Sequence, residues 1–146
     1  MTIVTRLAVS PVTLDSTALD RLMPMHLRLD GQGAIRSIGP TLCKLLPGTN
    51  GVGVPVGQIF ALRRPAGRTE LADLRARIGR RLNLALVHDP TLVLRGLALP
   101  LEDKGLLINL SFGIWVNEAV RRYGLTVADF AATDLTTEML YLVEAK

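Results

Sequence analysis

Cysteine and aromatic residues are scarce in this sequence. Its 146 residues include one cysteine, Cys43, so no disulfide can form within the chain. A single free thiol is typical of a reducing compartment, and we therefore expect a cytoplasmic location. Aromatic residues make up 4% of the sequence, whereas hydrophobic residues as a whole make up 49%. The core must therefore be built mainly from leucine, valine, isoleucine and alanine.

Long apolar runs are missing as well. No apolar stretch reaches roughly 18 residues, the length that a membrane-spanning helix needs. Residues 1–12 carry Arg6 inside their only apolar run, and no basic segment precedes that run, so they do not predict a signal peptide. We therefore expect no membrane partner.

The formal net charge is +4, which raises the question of a nucleic-acid partner. The basic residues are spread along the chain, and no aromatic residues alternate with them to form a stacking platform. We therefore expect no nucleic-acid partner.

The clearest local pattern is a β-hairpin over residues 92–112. Its second arm alternates apolar and polar residues, and its tip, residues 102–105, has three charged residues followed by a glycine that can adopt positive φ. In the first arm the apolar parity changes at Gly96, from Leu92 and Leu94 to Leu97 and Leu99. Such a change predicts a β-bulge at Gly96.

The other elements are weaker. The patterns predict helices over 17–23, 41–46, 70–81 and 117–123, strands over 26–30, 34–38 and 84–88, a glycine-rich loop over 48–57 and a last helix from Asp134. Two leading strands, a helical middle and three closing strands are the order of a PAS domain. We therefore expect an α+β fold with a PAS-like five-stranded antiparallel sheet, covered by helices on one side and flanked by N- and C-terminal helices. The expected divisions are a flanking segment 1–23, the domain 24–132 and a signalling helix 133–146.

Several short motifs in this order resemble the H-NOX-associated PAS-like domain of soluble guanylate cyclases and related bacterial signalling proteins. The resemblance covers about residues 23–146. It is carried by the strand that ends in Asp30, by Gly39-x-x-Leu42-x-x-Leu45-x-Pro47, by Ile59-Phe60-x-Leu62-x-Arg64-Pro65, by Leu94-Arg95-Gly96, by Arg121-Arg122-x-Gly124-Leu125 and by Asp134-x-Thr136. One departure is the loop between Pro47 and Phe60, which is longer and richer in glycine than the family's loop.

The resemblance implies a non-catalytic regulatory module. Such a module forms a homodimer and relays a signal to a covalently linked output domain of the nucleotide-cyclase type, either a guanylate or a diguanylate cyclase, or to a kinase. A separate haem-NO-binding sensor protein is a further partner that the resemblance implies. The alternative is a small-molecule sensor that binds an apolar or haem-like ligand in a core cavity.

Candidate catalytic residues do not form a recognisable set. His26 and His88 each lie on a predicted strand beside apolar residues, which favours a partly buried histidine over a haem or metal ligand. Cys43 has no histidine base nearby in the sequence, and Ser111 lacks the G-x-S-x-G motif that would pair it with Asp129 or Asp134. We therefore expect no catalytic residue, no metal and no cofactor.

Apolar residues near the two ends of the chain are the candidate interface. A dimer and signalling surface is predicted from the apolar stripes of the first and last helices and from the lone tryptophan, that is, from Leu19, Leu22, Trp115, Leu135, Met139 and Leu142. We expect the last helix to act as the lever that moves the output domain.

Overall fold

A computed structural model describes residues 11–46, 48, 51–64 and 69–135. Within these residues, four short helices are interspersed among six strands. The helices are α1 (Ser16–Leu22), α2 (Pro40–Lys44), α3 (Leu71–Arg75) and α4 (Val116–Tyr123), and the strands are β1 (His26–Leu29), β2 (Ile35–Ile38), β3 (Phe60–Arg64), β4 (Arg81–Leu86), β5 (Asp89–Pro100) and β6 (Leu106–Ser111). Three 3-10 turns lie at Val56–Gln58, Gly113–Trp115 and Val127–Asp129.

The strands form one antiparallel sheet of six, in the order β2-β1-β6-β5-β4-β3. The expected PAS-like five-stranded sheet covered by helices on one side is therefore wrong, because the described chain is mostly sheet, shaped as a half-barrel, with few and short helices. The additional strand is β3. Phe60 and Leu62 are buried on its inner side and pair with Leu86 and Leu84 of β4, so the strand forms through contacts that local periodicity does not reveal.

The predicted helix over 70–81 is mostly wrong. Helix α3 ends at Arg75, and Gly79 adopts φ +77°, a left-handed conformation that favours glycine. Arg81 and Leu82 already belong to β4. The apolar spacing that indicated one helix therefore extends over a helix, a turn and a strand. The predicted start is also displaced, because Glu70 and Asp73 form a capping box while the Thr69 hydroxyl accepts a hydrogen bond from Leu62 N at 2.9 Å.

The hairpin over 92–112 is confirmed as strands β5 and β6. Positive φ at its tip lies at Lys104 (φ +67°) and not, as predicted, at Gly105. Glycine is needed at 105 for another reason, since a Cβ there would lie 2.0 Å from the carbonyl oxygen of Leu29. The predicted bulge at Gly96 is also wrong, because the register with β6 continues without a shift from Arg95 to Pro100.

The inner face of the sheet is the hydrophobic core. Its centre consists of fully buried leucines such as Leu27, Leu84, Leu94 and Leu106, as the low aromatic content predicted. Short helices and turns cover this face with a few residues each, namely Leu42, Leu45, Val56, Leu74, Val116, Ala119, Leu125 and Phe130. Helix α1 contributes no buried residue; Asp15 caps it by accepting a hydrogen bond from Ala18 N at 2.8 Å.

Candidate functional site

The outer face of β5 and β6 exposes leucines. Leu97 and Leu99 are 42% and 50% exposed, and Leu107, the partner of Leu99 across the hairpin, is half-buried. On β5, the inner-face positions that alternate with Leu97 and Leu99 are Gly96 and Ala98. A Cβ at residue 96 would lie 2.5 Å from the Leu110 side chain, so only glycine fits there without a shift. The parity change at Gly96 therefore reflects leucines that point outward from a continuous strand. We call Leu97, Leu99 and Leu107 the outer leucine patch.

Positive charge lies beside this patch at the β4 side. Arg81 is the register partner of Leu97, and Arg95 lies two residues before it on the same face. No described carboxylate lies within ion-pair distance of either guanidinium. At the β1 side, Arg28 pairs with Asp103 at 3.4 Å, and both side chains are almost half exposed. The patch is therefore apolar at its centre and basic towards β4.

Helix α1 and the segment before it lie beside the same face. Residues 11–14 and Leu19 border a groove of about 570 Å³ whose other wall includes Pro100 and Leu107. Val12 and Leu22 are 83% and 60% exposed. Apolar surface of α1 and of the segment before it is thus left in contact with solvent, at a cost of about 25 cal/mol per Å² of apolar area.

A network centred on Asp89 joins α4 to the first residues of β5. Arg122 Nη1 donates to both carboxylate oxygens at 2.8 and 2.6 Å, and the Tyr123 hydroxyl donates to Oδ2 at 2.7 Å. The Thr91 hydroxyl donates a hydrogen bond to Asp89 Oδ1 at 2.9 Å. Burial would raise the pKa of Asp89, but the hydrogen bonds from Tyr123, Arg122 and Thr91 outweigh it and lower that pKa to about 2. Burial, together with the bond to Asp89, raises the pKa of Tyr123 to about 12.

A second tether joins the turn at Val127–Asp129 to α2. Lys44 Nζ contacts Asp129 Oδ1 at 2.7 Å, and the Thr41 hydroxyl donates to the backbone oxygen of Asp129. Burial raises the pKa of Asp129, but its bonds to Lys44 and to Thr126 lower it overall. The chain that follows β6 is therefore anchored by charged groups at two points on the sheet and on α2.

The structure describes four of the six predicted interface residues, Leu19, Leu22, Trp115 and Leu135. Leu19 borders the groove at the hairpin tip, while Trp115 (41% exposed) lies at the end of β6 beside Arg63 and Asn83. Leu135 is 67% exposed. Met139 and Leu142, and with them most of the last helix predicted from Asp134, lie outside the described residues. The interface prediction from these six residues thus stays a prediction.

The candidate catalytic residues are also separate. His26 is fully buried, with Nδ1 at 2.9 Å from the Met23 carbonyl oxygen and Nε2 at 2.7 Å from the Ser37 hydroxyl, whereas His88 is exposed. The lack of a histidine base near Cys43 in the sequence favours a small buried thiol, but in the structure Cys43 is exposed. Among the described residues no group of three histidine, cysteine or acidic side chains could hold a metal ion.

The sequence contains one signal for the outer leucine patch, the parity change at Gly96. The sequence alone predicts a bulge from it, whereas in the structure the strand is continuous and Leu97 and Leu99 lie on the outer face. The Asp89 network had no local signal, because Asp89 and Arg122 are 33 positions apart in the sequence.

No family model matches this chain, and the search of curated proteins found none with significant similarity. Within the part of the chain that the structure describes, no helix combines the length and the apolar composition that crossing a bilayer requires.

Proposed function

We propose that this chain is a non-catalytic association and signal-relay module that pairs with a second copy of itself. The observation that carries the proposal is the outer leucine patch. Isolated exposed leucines are common on proteins, but here three share one face of adjacent strands, beside the exposed apolar residues of α1 and the segment before it. A second copy of the same surface is a natural cover for such a patch, because two-fold pairing brings identical patches together.

Two further features support a relay. The Asp89 network connects the β4–β5 turn to α4, and the Lys44–Asp129 pair connects α2 to the turn after α4. A displacement of the sheet would therefore be transmitted to the part of the chain that leads towards the C-terminus. The resemblance to the H-NOX-associated domain supports a nucleotide-cyclase-type output domain as the receiver, and the single cysteine supports a cytoplasmic setting.

The alternative function, a sensor with an apolar or haem-like ligand between sheet and helices, has less support. The inner-face residues of all six strands belong to one cluster of buried side chains that pack on one another. A ligand at that position would have to displace packed leucines.

The test is the mass of the purified protein in solution, measured by light scattering from about 1 to 100 µM. We expect twice the 15.8 kDa of one chain at the upper concentrations. Leu99→Asp should shift the equilibrium to the monomer. Loss of one buried leucine costs about 2 kcal/mol, and each dimer loses two, so the dissociation constant should rise by about 1,000-fold.

The matched control is Val87→Asp. Val87 is 51% exposed, as Leu99 is, but it lies at the β4–β5 turn outside the patch. This variant should remain dimeric. Leu22→Asp distinguishes an interface on α1 from one on the patch. If Leu22→Asp dissociates the dimer and Leu99→Asp does not, the interface is the helix stripe predicted from the sequence. A wild-type protein that is monomeric at every concentration contradicts the proposal.

A further inference from the structure

A cleft of about 460 Å³ lies where β6 ends and the chain turns towards α4. Its walls come from four parts of the fold. They are Arg63 of β3, Asn83 of β4, Val93 and Arg95 of β5, and the segment from Phe112 to Trp115. Volumes of 300–1,000 Å³ are usual for small-molecule sites. We call it the Trp115 cleft; it does not include Leu97, Leu99 or Leu107.

One wall of the Trp115 cleft is apolar and exposed. Ile114 is 88% exposed and Trp115 is 41% exposed, so both leave apolar surface in solvent. Phe112, behind them, is buried and held edge-on against Phe130 with ring centroids 6.1 Å apart. This wall thus has a fixed aromatic base and an indole on which a flat ring can pack.

The opposite wall is cationic. Asn83 is the register partner of Arg95, so the amide and the guanidinium lie side by side on the outer face. Arg63 borders the same space from β3. No described carboxylate lies within ion-pair distance of Arg63 or Arg95. Two guanidiniums without a carboxylate partner among the described residues, together with an amide, give a set of donors that matches the acceptors of a carboxylate.

The backbone at Gly113 brings the two walls together. Gly113 adopts φ +58°, and its Cβ position would lie 3.5 Å from Nη2 of Arg95. A side chain at this residue would be strained by the positive φ, and the 3.5 Å distance shows that the guanidinium packs in ordinary contact against this backbone. Glycine thus places the indole of Trp115 and the guanidinium of Arg95 on either side of one space.

We propose that the Trp115 cleft binds a small organic carboxylate with a flat apolar ring. The ring would pack on Trp115 and Ile114, and the carboxylate would accept hydrogen bonds from Arg95, Arg63 and Asn83. Charge complementarity selects this ligand class, since a neutral apolar molecule would leave the guanidiniums unused and a polar anion would leave the indole exposed. This inference goes beyond the proposed association function.

The test uses naphthalene-2-carboxylate as the probe and naphthalene-2-methanol as its neutral counterpart. Trp115 is the only tryptophan in the chain, so its indole N–H gives one assigned cross-peak in a proton–nitrogen correlation spectrum. We expect this cross-peak to shift and to saturate with the carboxylate below about 1 mM, and binding of the alcohol to be weaker by about tenfold or more.

Variants connect the result to the cleft. Arg95→Gln and Arg63→Gln should each weaken binding of the carboxylate by about tenfold. Arg121→Gln, a change of the same type at a guanidinium outside the cleft, should leave it unchanged. Leu99→Asp should bind as the wild type does, so this inference and the association proposal can fail separately.

Three results would overturn the inference. One is equal affinity for the acid and the alcohol, which would mean an apolar surface without anion recognition. Another is a wild-type cross-peak that does not move. The third is a cross-peak that shifts with protein concentration alone, which would mean that a second copy of the chain fills the cleft.

Discussion

The Asp89 network makes a measurable prediction about stability. In Arg122→Gln, Asp89 loses a guanidinium that contacts both of its carboxylate oxygens. Hydrogen bonds to charged groups contribute about 1.5–3 kcal/mol when buried, and exposed ion pairs contribute about 0.2–1 kcal/mol. The Asp89 side chain is 16% exposed and that of Arg122 is 36% exposed, which places this pair between the two cases. We therefore expect the variant to lose about 1–2 kcal/mol of unfolding free energy.

The neighbouring arginine provides the control. Arg121 is 77% exposed and, in the described part of the chain, forms its ion pair with Glu118, which Arg122 also contacts through its Nη2 at 2.8 Å. Arg121→Gln should therefore cost less than about 0.5 kcal/mol. Urea unfolding of both variants gives the comparison, and equal losses would show that Asp89 adds nothing.

Acid titration tests the same network with a defined sign. The pKa of Asp89 is lowered in the folded protein to about 2, from an ordinary 3.8. A carboxylate whose pKa falls on folding stabilises the protein above its unfolded pKa, and this stabilisation is lost as the pH falls through the folded pKa. The difference between wild type and Arg122→Gln should be complete at about pH 6 and should shrink between about pH 4 and 2. A difference that stays constant down to pH 2 would refute this reasoning.

Two other predictions concern the hairpin tip and the free thiol. Gly105→Ala should lower the unfolding free energy, measured in urea, by about 2 kcal/mol or more, because its Cβ would collide with the Leu29 carbonyl oxygen. Lys104→Gly should raise the unfolding free energy by up to about 1 kcal/mol, because it removes a side chain from positive φ. A more stable Gly105→Ala and a less stable Lys104→Gly would contradict the tip geometry. Although Cys43 is exposed as a residue, partial desolvation of its thiol, and to a lesser degree the charge of Asp20, raise the pKa of Cys43. Its alkylation by iodoacetamide at about pH 8 should therefore be slower than that of free cysteine and should speed up in Asp20→Asn. Equal rates in the two proteins would mean that Asp20 has no effect.

The second arm of the hairpin could be predicted because its pattern is local and strict. Leu106, Ile108 and Leu110 alternate with less buried residues over one strand, and the turn directly before them sets the register. Helix α4 was predictable for a similar reason, since Gly124 adopts φ +64° at its C-cap. In both cases the residues that define the element lie close together in the sequence.

Other parts depended on contacts that the sequence does not show. Strand β3 has only five residues, and its partner β4 follows after an intervening helix, so its alternation was too short to be distinguished. The bulge predicted in the first arm of the hairpin is wrong because alternation shows that two faces differ and not which one is buried. Packing of Leu110 against Gly96 decides that question in the folded protein.

The candidate sites were the least predictable. The Trp115 cleft combines three strands and a turn, and of its residues only Trp115 is predicted from the sequence as part of a functional surface. No local pattern in the sequence marks Arg63, Asn83 and Arg95 as a group. They lie on one face only because β3, β4 and β5 are neighbours in the sheet.

The sheet order has a consequence for synthesis on the ribosome. Strand β1 has β6 as a neighbour, and His26 pairs with Asn109, so one edge of β1 stays open until 83 further residues have been translated. At about 5–20 residues per second this takes roughly 4–17 s, during which the β1–β2 hairpin presents unpaired backbone groups to other nascent chains. β1 is short, at four residues, and carries the exposed Arg28. Both properties reduce the chance that β1 pairs with a strand of another nascent chain on the same messenger RNA before β6 has been translated.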